Sequence, residues 1–132
     1  MTPEALLCLS LAVYHEARGE SLDGQFAVAE VVLRRVKDPR WPDDVCSVVF
    51  QHRQFEWASR PWPSLIPLDE YAYSDALAIA QAASILPTGW GAATRCADHF
   101  HSGHKPHWAY VYRMEKKIGG HYFYCSTLYN LR

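Results

Sequence analysis

From Pro3 to Ala17 the chain runs as an amphipathic helix, with Leu6, Leu7, Leu11, Val13 and Tyr14 at helical spacing, and it ends in Tyr14-His15-Glu16-Ala17-Arg18-Gly19-Glu20. The body of such a helix must be covered by other elements, while its last turn, bearing two carboxylates, a histidine and an arginine, must reach solvent. A positioned acid belongs at that kind of boundary. If the helical turn continues, Glu16 and Glu20 share a face with Cβ atoms about 5–6 Å apart. Their mutual repulsion, with burial against Tyr14, would then raise one carboxyl pKa and favour general acid catalysis. Gly19 reads instead as the residue that ends the helix and turns Glu20 elsewhere. A plainer reading makes both glutamates solvated, with Arg18 as an ordinary salt partner.

Thr2-Pro3-Glu4 is a helix start, so the first helix is expected to run to about Arg18. Ser21 caps a second helix with an expected stripe of Leu22, Phe26, Ala29, Leu33 and Val36, in which Arg34, Arg35 and Lys37 favour the C-terminal end and Asp38-Pro39 stops the run. Pro42-Asp43-Asp44 opens a short helix through Val49, and Gln51 to Trp57 reads as irregular or extended. Ser59 to Pro67, with three prolines, reads as a surface loop shaping the edge of a groove. Asp69 to Leu86 is a further helix with a small-residue face of Ala72, Ala76, Ile79, Ala80 and Ala83, ended by Pro87-Thr88-Gly89. Near the C-terminus the period changes. Trp108 to Arg113 and His121 to Cys125 read as strands about a turn at Gly119-Gly120. The expected class is α+β and mainly helical, with a small antiparallel hairpin or sheet near the C-terminus, in a single domain over 1–132.

A formal net charge of −1 supplies no basic field for nucleic acid, so that partner class is not expected. Five Trp and eight Tyr suit either a core or a saccharide groove, since a flat apolar ring with one polar handle fits both. Ala5 to Val13 is too short to span a bilayer, so no stable membrane insertion is expected; Glu4 stands where a secretion signal would carry positive charge, so no signal peptide is expected either. Cys8, Cys46, Cys96 and Cys125 have no CxxC spacing. Without an export signal the expectation is reduced thiols acting as small core residues, with Cys96 and Cys125 the pair if the protein works outside the cytoplasm.

Four of the seven histidines fall within His99-Phe100-His101-Ser102-Gly103-His104-Lys105-Pro106-His107. They could ligate zinc, with His15, Glu16 or His121 completing the site. There is no HExxH spacing, however, and a Ser-Gly-His-Lys-Pro loop does not preorganise ligands. The expectation is therefore no metal and no cofactor, with His99 and His101 on one side of an extended segment and His104 and His107 in solvent. In the second strand, alternation puts His121 on one face with Phe123 and Cys125. Facing inward near the His99-Phe100-His101 segment, it needs a polar partner.

The run Tyr14-His15-Glu16-Ala17-Arg18-Gly19-Glu20-Ser21-Leu22-Asp23-Gly24-Gln25, followed by Val28-Ala29-Glu30-Val31-Val32-Leu33-Arg34-Arg35-Val36, closely resembles the SleB-type cell wall hydrolases, the spore-cortex-lytic family. Trp41 to Gln51, the Gln54-Phe55-Glu56-Trp57 element, the His99-Phe100-His101 and Trp108 region and Ile118 to Tyr124 follow in family order. The resemblance implies a lysozyme-like, lytic-transglycosylase-like fold acting on peptidoglycan, with Glu16 as acid/base. Glu20, His15 and Arg18 are expected around it in orienting roles. Gln25, Phe55, His99, Phe100, His101, Trp108, His121 and Tyr122 are expected to contact substrate. The product would be a 1,6-anhydro end or, for a muramidase, a hydrolysed one. A bare catalytic unit without export signal looks like a phage endolysin, a monomer held in the host cytoplasm until the membrane is breached and then acting on the wall. The alternatives are a zinc-dependent peptidoglycan amidase or peptidase built on the histidines, and a noncatalytic glycan-binding module.

Overall fold

The computed structural model describes residues 1–51, 54–86 and 92–127. The stop expected at Pro87-Thr88-Gly89 lies outside them. Five helices come first: α1 (Pro3–Ala17), α2 (Leu22–Lys37), α3 (Val45–Val49), α4 (Trp62–Leu65) and α5 (Glu70–Ser84). Three strands follow, β1 (His99–Ser102), β2 (Arg113–Ile118) and β3 (His121–Cys125), with 3-10 turns at Glu56–Ser59 and His107–Tyr110. The architecture is mainly helical with a small antiparallel sheet, as expected.

The helix starts are set by side chains that accept otherwise unpaired amides. Thr2 Oγ1 accepts from Ala5 N at 3.0 Å, Ser21 Oγ from Gly24 N at 3.2 Å, Asp44 Oδ1 from Ser47 N at 2.9 Å and Asp69 Oδ1 from Ala72 N at 3.0 Å. Asp44 caps α3, whose first residue, Val45, is three residues after Pro42, so that helix is shorter than the sequence implied.

α2 is the central helix. Ala29 and Val32 join α1, α3 and α5 in one apolar cluster, while Ala27, Val28 and Val31 join Ala17, Ala97 and Phe123 in a second against the sheet. The stripe expected on α2 is met at Phe26, Ala29, Leu33 and Val36, which face the first cluster, but not at Leu22, and the buried side is broader than the stripe. Leu22 is 64% exposed, and Gln25, Val28, Val32 and Arg35 are buried as well, because a helix enclosed on two sides buries more than a single apolar stripe. On α5 the expected small face is observed: Ala76, Ala80 and Ala83 are buried and let the backbone approach its neighbours. The proline-rich segment is not wholly a loop, since Trp62–Leu65 makes one helical turn that buries Leu65.

The strand order is β1-β3-β2, all antiparallel. His99, Phe100, His101 and Ser102 pair with Tyr124, Phe123, Tyr122 and His121. Gly119 closes the β2–β3 turn with φ +56°. The strand expected from Trp108 is corrected: His107–Tyr110 is helical, and the strand begins at Arg113. Tyr112 N donates to Trp108 O at 3.0 Å, a helical turn that stacks the two rings at 6.0 Å; aromatic composition suggested a strand where the contact spacing is four residues.

The expectation of reduced thiols is also overturned. Cys8 pairs with Cys46 and Cys96 with Cys125, at Cα separations of 5.2 and 5.4 Å, within the range for disulfides. The pairs are 38 and 29 residues apart in sequence, so only the tertiary fold brings them together.

Between α5 and β1, residues 92–98 are irregular but fully fastened. Glu30 on α2 accepts from the amides of Ala92, Ala93 and Thr94, and Glu115 on β2 from those of Arg95, Cys96 and Ala97. Arg34 and Arg35, expected to serve the end of α2, instead donate to the carbonyls of Thr94, Ala97 and Asp98. No described helix is long and apolar enough to cross a membrane.

Candidate active site

Glu16 stands on the last turn of α1, half-buried, and its Oε2 accepts a hydrogen bond from Trp57 Nε1 at 2.9 Å. Trp57 is buried between two other rings, His15 at 4.5 Å and Phe55 at 5.9 Å, both nearly parallel to it. His15 is fixed in turn by its Nε2–H donating to Leu65 O at 2.9 Å; the carbonyl can only accept, so Nε2 carries the proton. The single turn of α4 thus holds His15, which holds the indole that holds the acid.

Burial pushes the Glu16 carboxyl up to about 6, with the Trp57 hydrogen bond working against the rise and the charge of Glu56 adding to it. The direction is the one expected from sequence, but the agents differ. Trp57, not Tyr14, holds the carboxyl, and the like charge is Glu56, not Glu20. α1 ends at Ala17, and Gly19, at φ +87°, turns the chain away. Glu20 consequently leaves the Glu16 face for the hairpin, where its Oε1 accepts from Gly120 N at 2.9 Å and lies 3.7 Å from His121 Nδ1. A Cβ on Gly119 would collide with that same oxygen.

The other orienting residues serve the frame. Arg18 Nη1 donates to the Tyr14 hydroxyl at 2.7 Å, and that hydroxyl also accepts from Asp69 N at 3.2 Å, joining the end of α1 to the start of α5. Gln25, buried, donates to Glu20 O at 3.2 Å. Arg18, Glu20 and Gln25, with Asp69, Tyr71 and Asp75, line a cleft of about 400 Å³.

The residues expected to meet substrate divide between the two faces of the sheet. Phe55 stacks on Phe100 at 6.1 Å, and Phe100 meets His121 and Phe123, so these rings continue from Trp57 onto the inner face. His121 shares that face with Phe123, as alternation required, and is 4% exposed. Its Nδ1 makes no hydrogen bond, so the polar partner anticipated for it is present only as Glu20 at ion-pair range.

His99, His101, Trp108 and Tyr122 lie on the opposite side. His99 donates from Nδ1 to Asp98 Oδ1 at 2.9 Å and packs on Trp108 and Tyr112. Burial works to raise the Asp98 carboxyl, but hydrogen bonds from His99 and Ser126 outweigh it and hold the group below the usual range. His101 is stacked between Tyr122 and Tyr124, at 5.1 and 5.4 Å, with Nε2 3.0 Å from the Tyr124 hydroxyl. Burial, with the nearby Lys105, His104 and His121, lowers its pKa. His104 and His107 are exposed.

Among the described residues, the one group of three potential metal ligands with converging donor atoms is Cys96, Glu115 and Cys125, and its two sulfurs are joined to each other. His15 is engaged by Leu65 O rather than turned toward the histidine segment. The feature missed from sequence is the pair Glu56 and Trp57. Both sit in the Gln54-Phe55-Glu56-Trp57 element, whose only signal for the role is an indole donor within a patterned motif.

A half-buried acid at a helix end, gripped by an indole beneath a small sheet, is a site built to handle a proton. Residues 19–124 match the cell wall hydrolase family, in a stretch that begins just after Glu16, and the chain belongs to that family. Its fold is that of the SleB catalytic domains. The catalytic domain of the germination-specific lytic transglycosylase SleB from Bacillus anthracis superposes with a TM-score of 0.71 and 29% identity, covering 94% of this chain and 96% of that one. The SleB catalytic domain of Bacillus cereus gives 0.71 and 28%, covering 93% and 91%. The spore cortex-lytic enzyme of Oceanobacillus iheyensis is 52% identical over 44 residues, 33% of this chain but only 16% of that enzyme's length.

Proposed function

We propose that the chain cleaves the β-1,4 bond between N-acetylmuramic acid and N-acetylglucosamine in peptidoglycan as a lytic transglycosylase, with Glu16 as acid and then base. The observation that carries this is the Glu16 carboxyl, raised to about 6 by burial while Trp57 fixes one of its oxygens. With that value about half of the carboxyls are protonated at pH 6 and roughly a tenth at pH 7. Among the described residues Oε1 has no protein hydrogen-bond partner, which leaves it to the substrate.

In the first step the protonated carboxyl donates to the glycosidic oxygen as the bond to the muramic anomeric carbon breaks, and positive charge develops on that sugar. The resulting carboxylate, stabilised by the Trp57 N–H, then takes the proton of the muramic 6-hydroxyl. That oxygen closes on the anomeric carbon to give a 1,6-anhydro ring, with no water consumed. Hydrolysis would need a second group to act on water or on the sugar. The engagement of Glu20 with the hairpin supports the one-carboxylate route. His15 and Phe55 act as positioning residues through Trp57, and Phe100, Gln25 and His121 support the same side.

The partner is the glycan strand, met by a monomer. Both disulfides favour work outside the cytoplasm, where such bonds persist. In the endolysin reading the chain is made inside a host cell and reaches the wall once the membrane is breached. Mass spectrometry of purified wall after digestion tests the chemistry. Anhydromuropeptides are expected; reducing muramic ends would make it a muramidase, and freed peptides would overturn glycan cleavage altogether.

A further inference from the structure

The sheet face turned away from Trp57 carries two cross-strand rows, His99-Tyr124-Met114 and His101-Tyr122-Lys117. Beside them Tyr110 projects with 74% exposure and Lys105 Nζ lies 4.3 Å over its ring, while Lys117 Nζ lies 5.5 Å over Tyr122. The two carboxylates adjoining these rows are already spent. Asp98 is bound by His99, Arg40 and Ser126, and Glu115 by the amides of residues 95–97. His101 and Tyr124 pack on each other, and with His99 they lie under Trp108 and Tyr112. What the face turns outward is therefore the exposed ring of Tyr110, the half-buried ring of Tyr122 and the two ammonium groups, which make no salt bridge among the described residues, and neither row contains an acid. Such a surface suits a glycan strand whose attached peptide stems carry carboxylates, a sugar ring lying against tyrosine and the carboxylates meeting lysine. A net charge of −1 for the whole chain gives no field of the kind nucleic acid requires.

We propose that this outer face is a second binding surface for a carboxylate-bearing glycan strand of the wall, separate from the Glu16 site. This rests on the wall-cleaving reading above. The rings of Phe55, Phe100 and Phe123 stand between the outer face and Trp57, so a strand lying on it does not reach Glu16. Its effect is tethering: the insoluble polymer is held by one surface while the other turns over, which raises the local concentration of cleavable bonds.

The test uses the full chain with Glu16→Gln as a non-cleaving probe, sedimented with purified sacculi stripped of phosphate polymers. Adding Lys105→Glu and Lys117→Glu is expected to weaken sedimentation roughly tenfold without changing melting temperature, two charge contacts being lost. Tyr110→Ala should weaken it as well. With Glu16 restored, the double lysine variant should cleave short soluble glycan oligomers at the unaltered rate yet clear sacculi more slowly. Unchanged sedimentation would overturn the proposal, as would equal loss on soluble oligomers, which would make the face part of the Glu16 site. Binding only to unstripped sacculi would also overturn it, by making the ligand a phosphate polymer. If the unaltered chain cleaves neither substrate, the enzymatic reading fails, and sedimentation still decides the surface.

Discussion

Trp57 Nε1 donates to Glu16 Oε2 at 2.9 Å across 41 residues of sequence, and this bond works against the rise that burial imposes on the carboxyl. Trp57→Phe keeps a ring between His15 and Phe55 but removes the donor. The Glu16 pKa should then climb further above 6, moving the alkaline limb of the pH–rate profile up by about one unit, since a hydrogen bond to a charged group contributes about 1.5–3 kcal/mol. Turnover should fall because the carboxylate formed in the first step loses its stabilising partner. An unshifted limb would remove Trp57 from the account of the acid.

Glu16→Gln should reduce wall cleavage by roughly 10²–10⁴ or more, because an amide has no proton to cycle. The same change should stabilise the fold at high pH. With the folded value near 6 against an ordinary 4.5, the folded state binds more protons than the unfolded chain between those values, so wild-type stability declines as pH rises through that window. The variant escapes this decline. Urea unfolding of both proteins at pH 4 and pH 8 should show the variant gaining up to about 2 kcal/mol on moving to pH 8.

Gly119→Ala places a methyl against Glu20 Oε1 at a residue with φ +56°, and should cost more than the roughly 1 kcal/mol of lost glycine freedom alone. In a Glu20→Ala background part of that cost should disappear. A double-mutant cycle by thermal melting measures the difference; strict additivity would mean that Glu20 does not hold the hairpin.

His121→Ala should lower both melting temperature and turnover, since its ring is buried against Phe100 and Phe123 and faces Glu20. His104→Ala, in solvent, should alter neither by much. A greater sensitivity at His104 in paired melting and wall-clearing assays would reverse the division of the histidines.

Each disulfide should contribute about 2–4 kcal/mol by restraining the unfolded chain. Melting with and without reductant, and with Cys8→Ser or Cys96→Ser, checks this directly. Without reductant each single variant keeps the other disulfide, so it should melt between the oxidised and the fully reduced wild type.

What the sequence disclosed was local. Caps at Thr2 and Ser21, the end of α1 at Gly19, the β2–β3 turn and the common side of His99 and His101 all follow from neighbouring residues, and so does the place of the Glu16 carboxyl on the last turn of α1. What it hid depends on distant partners. Nothing near Glu16 announces Trp57, and nothing near Glu20 announces Gly120. Of the buried surface of α2, the side bearing Phe26, Ala29, Leu33 and Val36 was legible, and the side bearing Ala27, Val28 and Val31 was not, because it is covered by the sheet. Strand alternation was visible, but only pairing with β3 reveals that His101 and Tyr122 turn away from the side occupied by Phe100 and His121.

The segment from Ala92 to Ala97 has six consecutive amides, three satisfied by a carboxylate on α2 and three by one on β2. Neither half of the molecule owns this stretch. If the sheet detaches, the amides of Arg95, Cys96 and Ala97 lose their acceptor; if α2 frays, those of Ala92, Ala93 and Thr94 lose theirs. The helices and the sheet are therefore expected to melt together, in one cooperative transition, and the apolar cluster that α2 shares with Phe123 ties them in the same way.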